Sequence, residues 1–203
     1  MNNDVTTRFP ASQKRMVLMA SDKGGIGKST SSIWVTQFLV DYGLPVMGFD
    51  PDSGNNSFQQ IMGQDRVQAI DVESKSKLKD LDNVIGKGLA KNDVVMVDGM
   101  PGQRKAFFNW IDEVDLLDPD MLDMFKLGVT FLVVLEEDID IVKQTLKAME
   151  LYGDKVDWIV VENHKFMEGT PKSWVEAGGL DLEKEVGAFH WTLENALEHL
   201  IAQ

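Results

Sequence analysis

The chain has 203 residues, 43% of them hydrophobic and 26% charged, which suits a soluble globular α/β domain with a sizeable core. A formal net charge of −13 disfavours a protein that coats nucleic acid. The absence of cysteine excludes structural disulfides, thiolate zinc sites and cysteine-ligated iron–sulfur clusters.

Met1 to Lys14 is polar and lacks the apolar centre of a signal peptide, so it reads as a flexible lead-in to a single domain over residues 15–203. No apolar run approaches the roughly 18 residues of a membrane helix, and a cytoplasmic protein is expected.

Met16 to Ala20 is an apolar run that predicts a strand, and Ile33 to Tyr42 opens an apolar-rich helix. Between them lies Ser21-Asp22-Lys23-Gly24-Gly25-Ile26-Gly27-Lys28-Ser29-Thr30. Strand, glycine loop and helix in that order make a phosphate site. Gly24, Gly25 and Gly27 let successive N–H groups point inward at phosphate oxygens, and the helix beginning near Lys28 adds the positive end of its dipole. Lys28 can reach the β- and γ-phosphates, and the Ser29 hydroxyl can hold Mg²⁺. The usual pattern has glycine six residues before the lysine, where this chain has Asp22, followed by a second lysine, Lys23. Lys-Gly-Gly-x-Gly-Lys-Ser-Thr resembles the deviant Walker A motif of the ParA/MinD superfamily, which also includes the nitrogenase iron protein and ArsA-type ATPases. The missing cysteines set the chain apart from the nitrogenase-type and zinc-clasped branches.

The helix from Ser29 to Tyr42 is apolar on more than one side (Ile33, Trp34, Val35, Phe38, Leu39), which predicts that little of it is exposed. Gly43 stops it, and Leu44 to Asp50 reads as a strand parallel to the first. Asp50 then projects to the rim that carries the glycine loop. Asp50-Pro51 resembles the superfamily's switch I, in which an aspartate before proline orients the attacking water, and the resemblance implies that role for Asp50. Many partition ATPases carry a further acid two residues earlier; this chain has Gly48 there, which removes any metal role at that position.

Ser57 to Met62 predicts a short helix, Val67 to Val72 a strand, and Ser76 to Ala90 a helix with Leu78, Leu81, Ile85 and Leu89 on one face. Lys75, Lys77, Lys79, Lys87 and Lys91 allow non-specific DNA contact, as in some partition ATPases. A solvated face interleaved with Asp80 and Asp82 is the preferred reading. Asp93 to Asp98 is an apolar strand ending in an acid that can hold Mg²⁺, and Asp98-Gly99-Met100-Pro101-Gly102 resembles the superfamily's switch II, with the Gly102 N–H available to the γ-phosphate.

Gln103 to Leu117 is read as helical, with Arg104 and Lys105 as a surface pair, and a short helix follows at Met121 to Lys126. Val129 to Leu135 predicts a buried parallel strand. The acids Glu136, Glu137, Asp138 and Asp140 suit the N-terminus of the next helix better than a metal cluster. Asp157 to Asn163 is another buried strand. In the superfamily an asparagine at the end of this late strand bonds the adenine, which implies that role for Asn163. Short helical pieces follow over Thr170 to Lys184, then a strand at Val186 to Phe189 and a helix from Trp191 to Ala202. That last helix has no Lys or Arg, which argues against membrane targeting. His164, His190 and His199 show no metal-ligand spacing.

The expected fold is α/β, a mostly parallel sheet flanked by helices, of the P-loop NTPase type found in the ParA/MinD superfamily. The resemblance implies ATP and Mg²⁺ as cofactors, bound between two subunits of a nucleotide-dependent homodimer, with Lys23 reaching the partner's nucleotide. It also implies slow hydrolysis and a regulatory or cargo partner protein in plasmid partition, conjugative transfer or intracellular positioning. Two other classes stay open: a P-loop kinase or a ligase related to dethiobiotin synthetase, and a nucleotide-binding module that no longer hydrolyses ATP. A phosphotransferase usually brings several arginines to its second substrate, whereas this chain has only Arg66 and Arg104 beyond the loop.

Overall fold

The computed structural model describes residues 14–52, 54–70, 81–99, 102, 104–135, 137–164 and 169–193, with residues 81–85 by backbone alone. Among the described residues seven strands form one sheet: β1 (Lys14–Met19), β2 (Val46–Asp50), β3 (Val67–Ala69), β4 (Val94–Val97), β5 (Leu127–Val134), β6 (Asp157–Asn163) and β7 (Phe189–Leu193). The order is β3-β2-β4-β1-β5-β6-β7, and every pairing is parallel. The expectation of a mostly parallel sheet is thus met in its strictest form. The strands β1, β4 and β5 are buried almost throughout, as a sheet covered on both faces requires.

One face carries α1 (Lys28–Asp41) and α2 (Ser57–Met62), packed over Val17, Met19, Val46, Met96, Leu132, Val134 and Val161. After these come α3 (Leu81–Lys91), α4 (Arg104–Glu113), α5 (Pro119–Phe125), α6 (Ile139–Tyr152), α7 (Lys172–Glu176) and α8 (Gly179–Val186). Phe107, Trp110 and Ile111 of α4 and Val142, Leu146 and Met149 of α6 build the core of the other face. Phe131 meets Phe108, Tyr152 and Trp158 there at ring centroid separations of 5.2–5.3 Å. Such aromatic contacts add about 0.5–1.5 kcal/mol each beyond their buried area.

Helix α1 departs from expectation. Its buried residues are Lys28, Ser31, Ser32 and Thr36, whereas Trp34 is 44% and Phe38 57% exposed. Small hydroxyl residues let the helix lie close to the strands beside the glycine loop, and its apolar residues are spread all round, so hydrophobic spacing does not mark the inner face. Other corrections are local. The strand expected over Val67 to Val72 is described only to Ala69. The helix expected over Gln103 to Leu117 ends at Glu113, because Asp115 takes a positive φ of 49° and Val114 to Leu117 form turns. The short helix expected from Met121 begins two residues earlier, at Pro119, since a proline at the first helical position loses no hydrogen bond, and Asp118 caps it through the backbone N–H groups of Asp120 and Met121.

Trp191 to Leu193 belong to β7, not to a terminal helix. They pair with Val161 to Asn163, Trp191 and Leu193 join the α1 face, and the strand begins at Phe189. The rest of the expected tail helix, His199, Lys75, Lys77, Lys79 and the lead-in before Lys14 fall outside the described residues. Among the described residues no helix is long and apolar enough to cross a membrane.

Candidate phosphate-binding site

The candidate side chains gather at the carboxyl ends of β1, β2, β4 and β6, beside the point where the strand order reverses on either side of β1. Ser21 pins the start of the loop: its Oγ accepts from the Val134 N–H at 2.7 Å and donates to the Val134 carbonyl at 3.4 Å. Gly25 and Gly27 take φ values of 80° and 99°, a region that favours glycine, and Gly27 is the N-cap of α1 without any capping side chain. The first N–H groups of α1 are therefore aimed into the loop. Lys23, Gly24 and Gly25 are exposed, Ile26 and Lys28 are buried, and Thr30 lies on the outer side of α1. The Lys28 ammonium donates to the Lys23 carbonyl, so the lysine lies folded along the loop.

Asp98 follows β4 and is buried. The Ser32 hydroxyl donates to its Oδ1 at 2.7 Å, and the Ser29 hydroxyl faces the same carboxyl. Burial pushes the Asp98 pKa up, against the pull of the Ser29 and Ser32 hydroxyls and the Gly99 N–H. Asp50, equally buried at the end of β2, accepts from the Asp52 N–H at 3.1 Å and the Gln59 N–H at 3.0 Å. Its pKa is also raised by burial, with those backbone donors opposing, and its charge raises that of Asp98. The Ser29 hydroxyl facing the buried Asp98 carboxylate makes a pair of hard-oxygen donors of the kind that suits Mg²⁺.

Two glycines make room for this arrangement. A methyl group on Gly99 would stand 2.7 Å from the Met19 side chain and 3.3 Å from Cδ of Lys28. At Gly48 it would meet the Phe58 ring and Val67 at 2.7 Å, so no carboxylate fits there. Gly102 has a φ of 79° and is exposed.

Asn163 is buried at the end of β6, and its Nδ2 donates to the Ile26 carbonyl at 2.9 Å. It stands where Gly27 would carry a side chain, and so touches the glycine loop directly. Lys23, at the rim, lies 3.7 Å from Asp138, which also caps α6 through the N–H groups of Asp140 and Ile141. Those N–H groups and the Lys23 charge hold the Asp138 carboxyl below the usual range. Arg104 is not a plain surface residue. Its backbone N–H points at Asp22 Oδ1 (3.4 Å), its guanidinium donates to Gln144, and it lies 5.7 Å over the Phe108 ring.

The residues read from the sequence on the glycine loop, β2, β4 and β6 thus converge on one rim. Sequence reasoning missed the contacts of Ser32 and Asp138. Ser32 reaches Asp98 because α1 lies against β4, and Asp138 carries no sequence signal beyond that of a helix-terminal acid. Among the described residues no group of His, Asp and Glu forms a metal cluster of three or more.

A family profile described as the CobQ/CobB/MinD/ParA nucleotide-binding domain matches residues 17–165. No curated protein matches the chain in sequence. Solved structures share the fold. The signal recognition particle 54 kDa protein from Aeropyrum pernix K1, solved with GDP, has a TM-score of 0.57 at 13% identity, over 95% of this chain and 45% of that one. The chain therefore spans under half of that protein. MinD from Aquifex aeolicus aligns with a TM-score of 0.51 at 16% identity, over 87% of this chain and 80% of its own. The MinC:MinD complex of the same organism gives 0.52 at 18% identity, over 87% and 79%.

Proposed function

The chain belongs to the CobQ/CobB/MinD/ParA nucleotide-binding domain family, and from that premise we propose that it is an ATP-dependent dimerisation switch with slow ATP hydrolysis. The observation that carries this reading is the loop itself. Lys28 is buried beneath it near the strand end that carries Gly99 and Asp98, while the second lysine, Lys23, is exposed at the outer rim. In this reading one lysine serves the bound nucleotide and the other serves a nucleotide held by a second copy.

Gly24, Gly25, Ile26, Gly27, Lys28, Ser29 and Thr30 bind the phosphates through backbone N–H groups and the Lys28 ammonium. Ser29 and Asp98 hold Mg²⁺, which, when bound, offsets the charge on the β- and γ-phosphates. Asp50 orients the attacking water from the end of β2. Gly102 contacts the γ-phosphate through its N–H, and Asn163 borders the base. Lys23 of a second copy offsets the charge that develops during phosphoryl transfer. Because Asp50 and Asp98 lie on separate strand ends, loss of the γ-phosphate changes the contacts of both following loops and releases the dimer.

A MinD neighbour was solved in complex with MinC, and a partner protein that reads the dimer is the corresponding expectation here. Plasmid partition, conjugative transfer and intracellular positioning are settings that suit such a switch. Purified protein with ATP and Mg²⁺ is expected to release ADP slowly, and Lys28→Ala to abolish that release. Undiminished release from Lys28→Ala would assign the activity to a contaminant and remove the proposal's support.

A further inference from the structure

Glu162 and Asn163 are neighbours at the end of β6, and consecutive strand residues point to opposite faces of the sheet. Asn163 grips the glycine loop on the α1 face. Glu162, on the other face, enters a network that the phosphate site does not use. His190 of β7 stands between two carboxylates, with Nε2 3.0 Å from Glu162 Oε1 and Nδ1 2.8 Å from Glu183 Oε2 of α8. Both carboxylates are only 6% exposed. A neutral imidazole has a single N–H, so only the cation donates to both. The remaining oxygens are occupied as well. Glu162 Oε2 lies 3.2 Å from His164 Nε2, Glu183 Oε1 accepts from Trp174 Nε1 of α7 at 2.7 Å, and the Thr170 hydroxyl donates to the same Glu162 Oε1 that faces His190. Among the described residues, the charged groups facing the His190 ring are Glu162 from β6 and Glu183 from α8, with His164 on the far oxygen of Glu162.

We infer that His190 is a positioning residue for the nucleotide site: its cation clamps the end of β6 and thereby holds Asn163 against the glycine loop, so nucleotide affinity falls as pH rises. The inference rests on the nucleotide-binding reading of the loop. Loss of the proton leaves two buried carboxylates facing each other with no cation between them, a costly arrangement that opens the β6–β7–α8 contact. Burial of the ring pulls its pKa down, but Glu183 and Glu162 outweigh this and raise it above the ordinary histidine value. A raised cationic group contributes fully below its unfolded value and loses that contribution as pH rises through the folded one. The clamp is therefore complete in mild acid and released on going alkaline.

The test is ADP binding by calorimetry, with Mg²⁺, between pH 6 and pH 8.5, for the wild type, His190→Gln and Glu183→Gln. Comparing proteins at each pH cancels the titration of ADP itself. Wild-type affinity is expected to fall by at least about fivefold more than that of His190→Gln over this range, the lower end of typical coupling between linked sites. Glu183→Gln keeps the imidazole but removes one buried charge, and is expected to flatten the profile as well; it provides the check if His190→Gln fails to fold. Wild-type and variant profiles that run parallel would overturn the inference while leaving nucleotide binding intact. A wild type that binds no ADP at any pH would instead remove the nucleotide-binding reading on which it rests.

Discussion

Replacing Gly27 by alanine places a methyl group where the Asn163 amide already stands. The added carbon would lie 2.2 Å from Nδ2 and 3.3 Å from Cγ of Asn163, on a backbone with a φ of 99°. The left-handed conformation costs an ordinary residue about 1–2 kcal/mol. Driving the amide aside removes its hydrogen bond to Ile26, worth about 1 kcal/mol net and more where the carbonyl stays buried and unpaired. Together these give a destabilisation of about 3 kcal/mol. For a chain of 203 residues that is a fall in Tm of about 6–12 °C. Thermal unfolding of Gly27→Ala, Asn163→Ala and the double variant reads it out. The double variant should be less destabilised than the sum of the singles, by about 1 kcal/mol or more, because the methyl group no longer meets an amide. Strict additivity, or a Gly27→Ala protein within about 0.5 kcal/mol of wild type, would refute the contact between β6 and the glycine loop.

Asp98 carries a raised pKa from burial. A carboxyl raised on folding lowers stability as pH climbs from its unfolded to its folded value, so at neutral pH its charge opposes folding. Asp98→Asn should therefore melt at or above the wild-type temperature without nucleotide, yet lose the extra stabilisation that Mg²⁺ adds to bound ATP. A variant that melts lower and still responds to Mg²⁺ would contradict both parts, as differential scanning fluorimetry will show. Lys23→Ala should keep ADP affinity within about threefold, since the side chain lies at the rim, while losing ATP-dependent assembly. If its ADP affinity falls as far as that of Lys28→Ala, Lys23 serves only its own subunit's phosphates.

The glycine loop, the strand acids Asp50 and Asp98 and the placement of Asn163 were readable because each follows a short apolar run that forms a buried parallel strand, and such strands deliver their last residue to one rim. What the sequence concealed depends on packing across distant segments. Helix α1 hides its inner face because Ser31, Ser32 and Thr36, not its aromatics, meet the sheet. The tail carried apolar spacing that also suits a helix, and pairing with β6 decided in favour of a strand through Leu193. The histidines gave no spacing signal, since His190, Glu162 and Glu183 meet only after β6, β7 and α8 are assembled. Gly48 shows the opposite case: its missing acid is visible in sequence, and Phe58 and Val67 supply the steric reason.

The central claim is that ATP joins two copies through a site to which each contributes. Sedimentation of wild type and Asp50→Ala, with ATP–Mg²⁺ and with ADP–Mg²⁺, tests it most directly. With Asp50→Ala and ATP, hydrolysis is blocked, and the account predicts a stable species of about twice the 22.7 kDa protomer mass. ADP should leave both proteins monomeric. An Asp50→Ala protein that binds ATP at saturation and still sediments as a monomer would contradict the dimerisation switch.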